Sequence, residues 1–174
     1  WWKHPVHVLA YGLGTGLSPV APGTVGTLVG GALFWVMAPL PPALYAAITV
    51  ALALAGVFIC GQTAADLGLK DPGAIVYDEI VGFLVAMYLL PRDWRWVVAG
   101  FVVYRLFDIW KPWPIRQVEK GLGLGGGIVA DDLVAGLYTL AVLHTVRWAL
   151  EMPGPGPVTA AIYDLQGRLV RRLA

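Results

Sequence analysis

Five apolar runs, each nearly free of charged side chains, constrain this chain more than any other feature. They cover residues 25–40, 43–60, 80–90, 96–107 and 133–150. As an α-helix, the second run would be about 27 Å long, close to the thickness of a hydrocarbon core. The runs predict an all-α fold, a multi-pass membrane helical bundle with about five apolar helices. For the first two runs, the alternative is a helical hairpin buried in a large soluble core.

The low content of charged residues indicates that a lipid bilayer surrounds part of the protein. Charged residues make up 13% of the 174-residue chain, against about 25% in an ordinary soluble domain. The net charge is only +1, so we expect no basic surface and no nucleic-acid partner. The single cysteine, Cys60, excludes a disulfide within the chain.

The two ends of the chain differ from its middle. Residues 1–11 are aromatic and amphipathic and predict an interfacial segment, with His4 and His7 on the surface. Residues 1–150 are predicted to form one membrane domain. Residues 151–174 predict a linker followed by a short β-hairpin tail with no role in the chemistry.

The stretch 104–116, YRLFDIWKPWPIR, combines charge with aromatic side chains at the end of an apolar run. Prolines stop a helix there, because proline lacks the backbone N–H group. Arg105, Lys111 and Arg116 suit an anion such as phosphate. Asp108 suits a metal ion or a structural ion pair. The alternative is an anchor at the membrane interface, where Trp, Lys and Arg are common.

Gly-rich segments and paired acids precede other apolar runs. The loop 12–27 contains Ser18, and Thr24 is predicted as the N-cap of the first apolar helix, where free N–H groups bind anions. Asp78 and Glu79 precede run 80–90. Asp131 and Asp132 follow a Gly-rich, flexible loop and open run 133–150. The alternative is that these acids only cap helices.

The number of apolar runs between these groups predicts that all of them lie on the same side of the membrane. If successive runs cross or enter the membrane alternately, loops 12–24, 61–79 and 105–132 share one side. That side carries six Lys and Arg residues against three opposite, which predicts that it faces the cytoplasm. Carboxylates select hard cations such as Mg²⁺, which commonly pairs them with substrate phosphate. The pattern predicts metal-assisted phosphoryl chemistry, with either water or a carboxylate as the nucleophile.

Four motifs together resemble the phosphatidylglycerophosphatase A family of bacterial membrane phosphatases. They are GLGTGLSPVAPGTVGT (12–27), YDEIVGF (77–83), YRLFDIWKPWPIR (104–116) and GGGIVADDLVAG (125–136). The family usually has Phe where Tyr104 stands, a change that removes no charged group. The resemblance implies Mg²⁺-dependent hydrolysis of phosphatidylglycerophosphate to phosphatidylglycerol and phosphate. It also implies the bacterial inner (cytoplasmic) membrane, with the active site facing the cytoplasm.

With this resemblance, the charged groups receive expected roles. The metal site is expected among Asp78, Glu79, Asp108, Asp131 and Asp132. Phosphate binding is expected from Ser18, Thr24, Arg105, Lys111 and Arg116. The catalytic groups are expected to be Glu79, Asp108, Lys111 and Asp132. Three alternatives stay open: a phosphatase of another lipid phosphate, a small cation transporter subunit, and a structural membrane protein with anchor motifs.

Overall fold

The computed structural model describes residues 4–70, 72–152, 160–163 and 169–173. Each of the five predicted apolar runs contains a helix, so the helical architecture is confirmed, although runs 25–40 and 80–90 extend past the ends of their helices at Met37 and Ala86. The described helices are α1 (Pro5–Ala10), α2 (Pro22–Met37), α3 (Pro42–Leu67), α4 (Tyr77–Ala86), α5 (Trp94–Trp110), α6 (Ile115–Gly121) and α7 (Leu124–Glu151). A short 3-10 segment, Gly12–Leu17, connects α1 towards α2.

The chain divides into two compact units, residues 1–144 and residues 145–174. The second unit contains the end of α7 and two antiparallel strands, β1 (Ala160–Tyr163) and β2 (Leu169–Leu173). The two strands expected in the tail are therefore present and paired, whereas the turn between them, residues 164–168, lies outside the described residues. The predicted domain boundary at residue 150 stays a prediction.

Helix α4 is the centre of the first unit. Eight of its ten residues are buried, and Phe83 and Leu84 contribute to the main core. Helix α2 packs closely on it through glycines: a Cβ on Gly30 would stand 3.0 Å from the Phe83 Cβ. Asp78 and Glu79 lie in the first turn of α4, as the sequence predicted. The buried position of this turn holds both carboxylates inside the bundle rather than on its surface.

Helix α3 is longer than predicted, and the loop expected from residue 61 is wrong in its first part. The helix continues to Leu67 and ends where Gly68 adopts φ +67°. The Gly68 and Leu69 N–H groups bond back to Ala65 and Ala64 carbonyls, a common glycine-terminated helix end. Alanines at 64 and 65 favour helix, and Ala64 is fully buried, so the helix does not stop where the polar residues begin.

Helix α6 ends at Gly121 and α7 begins at Leu124, so the prediction of a flexible loop over residues 119–132 is wrong except at residues 122 and 123. The glycines there serve close packing: a Cβ on Gly125 would overlap the Val57 carbonyl oxygen of α3 and stand 2.9 Å from Gly61. Small residues permit this approach of two helix backbones. Asp131 and Asp132 consequently lie about two turns inside α7 and do not open it.

Three smaller expectations also fail. Helix α2 begins at Pro22 after Ala21, so Thr24 lies in its first turn and is not the N-cap. His7 is buried, and its Nε2 lies 2.8 Å from Asp66 Oδ2, so it is not a surface residue. Helix α6 was not predicted, because prolines on both sides of Trp113 obscure its start.

By length and hydropathy, two of the described helices are able to cross a membrane, α3 and α7. Helix α2 is apolar but shorter. The prediction of about five membrane-crossing helices is therefore not confirmed in its number. Many large apolar side chains nevertheless point outward, including Leu54 on α3 and Val102 and Ile109 on α5.

Candidate active site

Five carboxylates from three helices form one electrostatic cluster, which we call the acid cluster. Its members are Asp78 and Glu79 on α4, Asp108 on α5, and Asp131 and Asp132 on α7. Asp132 interacts electrostatically with Asp108, Glu79 and Asp131. Asp78 interacts in the same way with Glu79 and Asp132. The structure thus brings together all five acids that the sequence nominated.

Arg105 lies between two members of the acid cluster. Its Nη1 donates to Asp108 Oδ2 at 2.5 Å and lies 3.8 Å from Glu79 Oε1. Asp108 follows Arg105 by three residues on α5, so the helix itself places both side chains on one face. One guanidinium therefore bridges carboxylates from α4 and α5.

Gly23 provides the space for this arrangement. It lies in the first turn of α2, and a Cβ at this position would overlap Glu79 Oε1 and stand 3.1 Å from Arg105 Nη1. The backbone of α2 consequently forms one wall of the acid cluster. Glycine is required here by close approach and not by an unusual backbone conformation.

Lys111 is a second cation in contact with the acid cluster. It caps the end of α5 with φ +45°, and its Nζ donates to Asp131 Oδ2 at 2.5 Å. The other oxygen of Asp131 accepts from the Asp132 backbone N–H at 3.0 Å. These bonds fix Asp131 in one orientation, with α5 and α7 joined at the same end.

Tyr104 is the residue that the sequence reasoning missed. Its hydroxyl donates to Asp132 Oδ1 at 2.5 Å, and its side chain is fully buried. Phe83 packs edge-on against the ring, and Gly82 leaves room for the hydroxyl. Tyr104 and Asp108 are four residues apart, so helical spacing places them on one face. That spacing was the available signal.

Burial changes the protonation of the acids on α4. Desolvation, with the charge of Glu79 second, raises the pKa of Asp78 well above its ordinary value. Desolvation likewise raises the pKa of Glu79 to about 7, although Asp78 and Arg105 act in the opposite direction. Among the residues that the structure describes, Glu79 Oε2 and Arg105 Nε are buried without a hydrogen-bond partner. Such groups are costly, so both atoms have bonding capacity available for a ligand.

The donor set fits a hard divalent cation. Carboxylate oxygens are the ligands such ions prefer, and Glu79 Oε2 is buried and unpartnered. Among the described residues, no three His, Cys, Asp or Glu side chains are already placed around one ion position. Mg²⁺ does not require such a cage, because it usually keeps several waters and binds one or two carboxylates plus substrate phosphate.

Three of the nominated phosphate-binding residues are not joined to the acid cluster by the contacts in the described part of the chain. The Ser18 hydroxyl donates locally to the Val20 carbonyl. Arg116 is exposed, and its Nη2 lies 3.4 Å from the Trp110 carbonyl oxygen. Thr24 follows Gly23 directly and is half-buried. Arg105 and Lys111 are the nominated cations that contact the acids.

Comparison with known proteins places this site in a defined family. The profile of the family described as phosphatidylglycerophosphatase A matches residues 8–147. Phosphatidylglycerophosphatase A of Escherichia coli (strain K12) is 43% identical over 151 residues, 85% of this chain and 88% of the relative. Phosphatidylglycerophosphatase A of Haemophilus influenzae is 40% identical over 147 residues, with 83% and 90% covered.

A third relative is named for a different activity. The putative phosphatidylinositol-3-phosphatase of Bacteroides thetaiotaomicron is 34% identical over 152 residues, 82% of this chain and 94% of the relative. No solved structure gives a significant match. All ten nominated site residues fall inside the range matched by the family profile.

Proposed function

The chain belongs to the phosphatidylglycerophosphatase A family, and from this premise we propose that it hydrolyses phosphatidylglycerophosphate to phosphatidylglycerol and inorganic phosphate in phospholipid biosynthesis. The observation that carries the proposal is the acid cluster with Arg105 and Lys111 bound to it. This combination of hard anionic ligands and partly buried cations serves phosphate monoester hydrolysis.

A membrane setting agrees with the outside of the helices. Helix α5 carries Trp94 at its start and Trp110 at its end, both exposed, about 24 Å apart along the axis. Tryptophans at both ends of an apolar helix are typical of a segment between two membrane interfaces. We place the protein in the bacterial inner membrane as a multi-pass protein. The Lys and Arg bias supports a cytoplasmic active site.

We propose Mg²⁺ as the cofactor, with Glu79, Asp108 and Asp132 as the principal ligands and Asp78 and Asp131 beside them. When bound, the ion supplies Lewis-acid polarisation of a phosphate oxygen and a lower pKa for a coordinated water. The unpartnered Glu79 Oε2 supports this proposal. So does the charge: five clustered carboxylates repel one another unless cations or protons compensate them.

The side chains of the site have different roles in the proposed reaction. Arg105 and Lys111 bind the non-bridging phosphate oxygens and stabilise their charge in the transition state. Tyr104 holds Asp132 in position through its hydroxyl. In the reaction, a water oxygen forms a bond to phosphorus as the phosphorus–oxygen ester bond breaks. A carboxylate of the acid cluster accepts the water proton, and the departing lipid alkoxide takes up a proton to become the alcohol.

A second candidate is favoured by the third relative, whose name points to a phosphoinositide. Both substrates are phosphate monoesters on a diacyl lipid, and they differ only in the alcohol. A small cation transporter subunit is a further alternative, because acids in apolar bundles also bind transported ions. It predicts no release of phosphate from any lipid.

A substrate panel tests the proposal. Purified protein in detergent micelles is given phosphatidylglycerophosphate, phosphatidylinositol 3-phosphate or phosphatidic acid, and inorganic phosphate is measured over time with Mg²⁺ present. We expect kcat/KM to be highest for phosphatidylglycerophosphate. A preference for the phosphoinositide would move the function to the second candidate, and no release from any of the three would contradict phosphatase function.

A further inference from the structure

An apolar groove lies beside the acid cluster, on the outside of the helix bundle. Its volume is about 410 Å³, and α2, α3, α4 and the segment before α2 form its walls. Its lining includes Leu13, Val29, Leu33, Leu52 and Ile80. The one hydroxyl in its wall, on Tyr77, already donates to the Leu52 carbonyl at 3.1 Å. The groove therefore suits hydrocarbon, and its described lining offers no free side-chain hydroxyl or charge to orient a polar ligand.

The groove opens outward and is not an enclosed void. Leu13 at one rim is 75% exposed, and Val36 at the other is 72% exposed. Exposed apolar rims of this kind are expected where a protein faces lipid or binds an apolar ligand. A hydrocarbon chain can consequently enter from the side, without passing through the bundle.

Two helices connect the groove to the acid cluster. On α4, Tyr77 and Ile80 line the groove, while Asp78 and Glu79 between them belong to the acid cluster. On α2, Gly23 contacts the cluster, and Val29, Leu33 and Val36 continue along the groove. From Gly23 to Val36 the helix extends about 20 Å. The distance suits one molecule with a charged head at the cluster and a long apolar tail.

We propose that this groove binds one acyl chain of the phosphate monoester lipid while its phosphate lies at the acid cluster. The inference rests on the proposed lipid phosphatase function and adds a subsite for the chain. The groove holds the chain, and with it the phosphate, in one place relative to the acid cluster, so long-chain substrates gain a positioning contact that a free head group lacks. The enzyme thereby selects a lipid phosphate over water-soluble phosphate monoesters.

Filling the groove tests the subsite kinetically. Ala32 is exposed and lines the groove, and Ala32→Phe inserts a ring at its wall. Ala51 is also an exposed alanine, on α3 but outside the groove, so Ala51→Phe is the matched control. We expect Ala32→Phe to raise KM for dipalmitoyl substrate on the order of tenfold, because the inserted ring occupies space that the chain needs. KM for the deacylated head group should not change. Equal KM values in the two variants would overturn the proposal.

Photo-crosslinking of the unmodified protein gives an independent readout. The probe is a phosphatidylglycerophosphate with a diazirine near the end of one acyl chain, and labelled peptides are mapped by mass spectrometry. We expect labelling at Leu33 and Val36, reduced by excess unlabelled phosphatidylglycerophosphate but not by phosphatidylcholine. Labelling elsewhere, or equal competition by phosphatidylcholine, would refute a substrate subsite. Groove labelling without any phosphate release would contradict the proposed reaction while leaving the subsite intact.

Discussion

Replacing Gly23 by alanine isolates the close approach of α2 to the acid cluster. The added methyl group would overlap Glu79 Oε1 and stand 3.1 Å from Arg105 Nη1. Both side chains must then move by roughly 1 Å, and a displacement of that size in a catalytic site costs about 100-fold in rate. We expect kcat for phosphate release to fall by about that factor.

The matched control is Gly31→Ala on the same helix. There a Cβ meets Val97 and Phe83 at 3.5 and 3.6 Å, which is ordinary contact. Alanine is favoured over glycine inside a helix by about 1 kcal/mol, so this variant should keep its activity and unfold about 2–4 °C higher. Phosphate release and thermal unfolding in detergent are measured for both variants. Near-normal activity in Gly23→Ala would refute the role assigned to this helix start.

Three further predictions concern Asp132, Glu79 and the tail. Tyr104→Phe removes the hydroxyl bonded to Asp132 but introduces the residue that the family usually has, so the variant should remain active. We expect kcat to fall by no more than about tenfold, the value of one bond to a charged group, with the circular dichroism spectrum unchanged; an unaltered kcat would contradict the positioning role. Burial raises the pKa of Glu79 from 4.5 to about 7. Between pH 4.5 and about pH 7 the folded metal-free protein therefore binds more protons than the unfolded chain, so its free energy of unfolding falls as the pH rises through this range. Thermal unfolding in EDTA at pH 5 and pH 8 measures this fall, which added Mg²⁺ should reverse; a higher unfolding temperature at pH 8 than at pH 5 in EDTA would refute it. Removing residues 153–174 should leave phosphate release unchanged, because the family match ends at residue 147, and a large loss would assign the tail a role.

The acid pair on α4 shows what the sequence was able to predict. Two carboxylates directly before an apolar run specify a helix start, and both lie in the first turn of α4. Their predicted grouping with Asp108 and with the acids of α7 is present in the structure, whereas the five membrane crossings from which it was inferred stay a prediction. Such predictions depend on local spacing and on the alternation of chain direction, which the sequence carries directly.

The glycines before Asp131 show what it was not able to predict. A Gly-rich segment is typical of a loop, but Gly125 lies in α7, where it permits contact with Val57 and Gly61 of α3. Only the partner helix, more than sixty residues away in sequence, distinguishes these two uses. The bond from Tyr104 to Asp132 depends on the same packing, so it also appears only in the folded chain.

The proposed hydrolysis of a lipid phosphate at the acid cluster depends on bound Mg²⁺. Its sharpest test is phosphate release from phosphatidylglycerophosphate by the unmodified protein and by Asp108→Asn, each titrated with Mg²⁺ after EDTA treatment. We expect saturable activation of the unmodified protein, and for Asp108→Asn a loss of turnover with normal insertion into membranes. Full activity in EDTA, or an Asp108→Asn variant with the same rate and Mg²⁺ dependence, would contradict it.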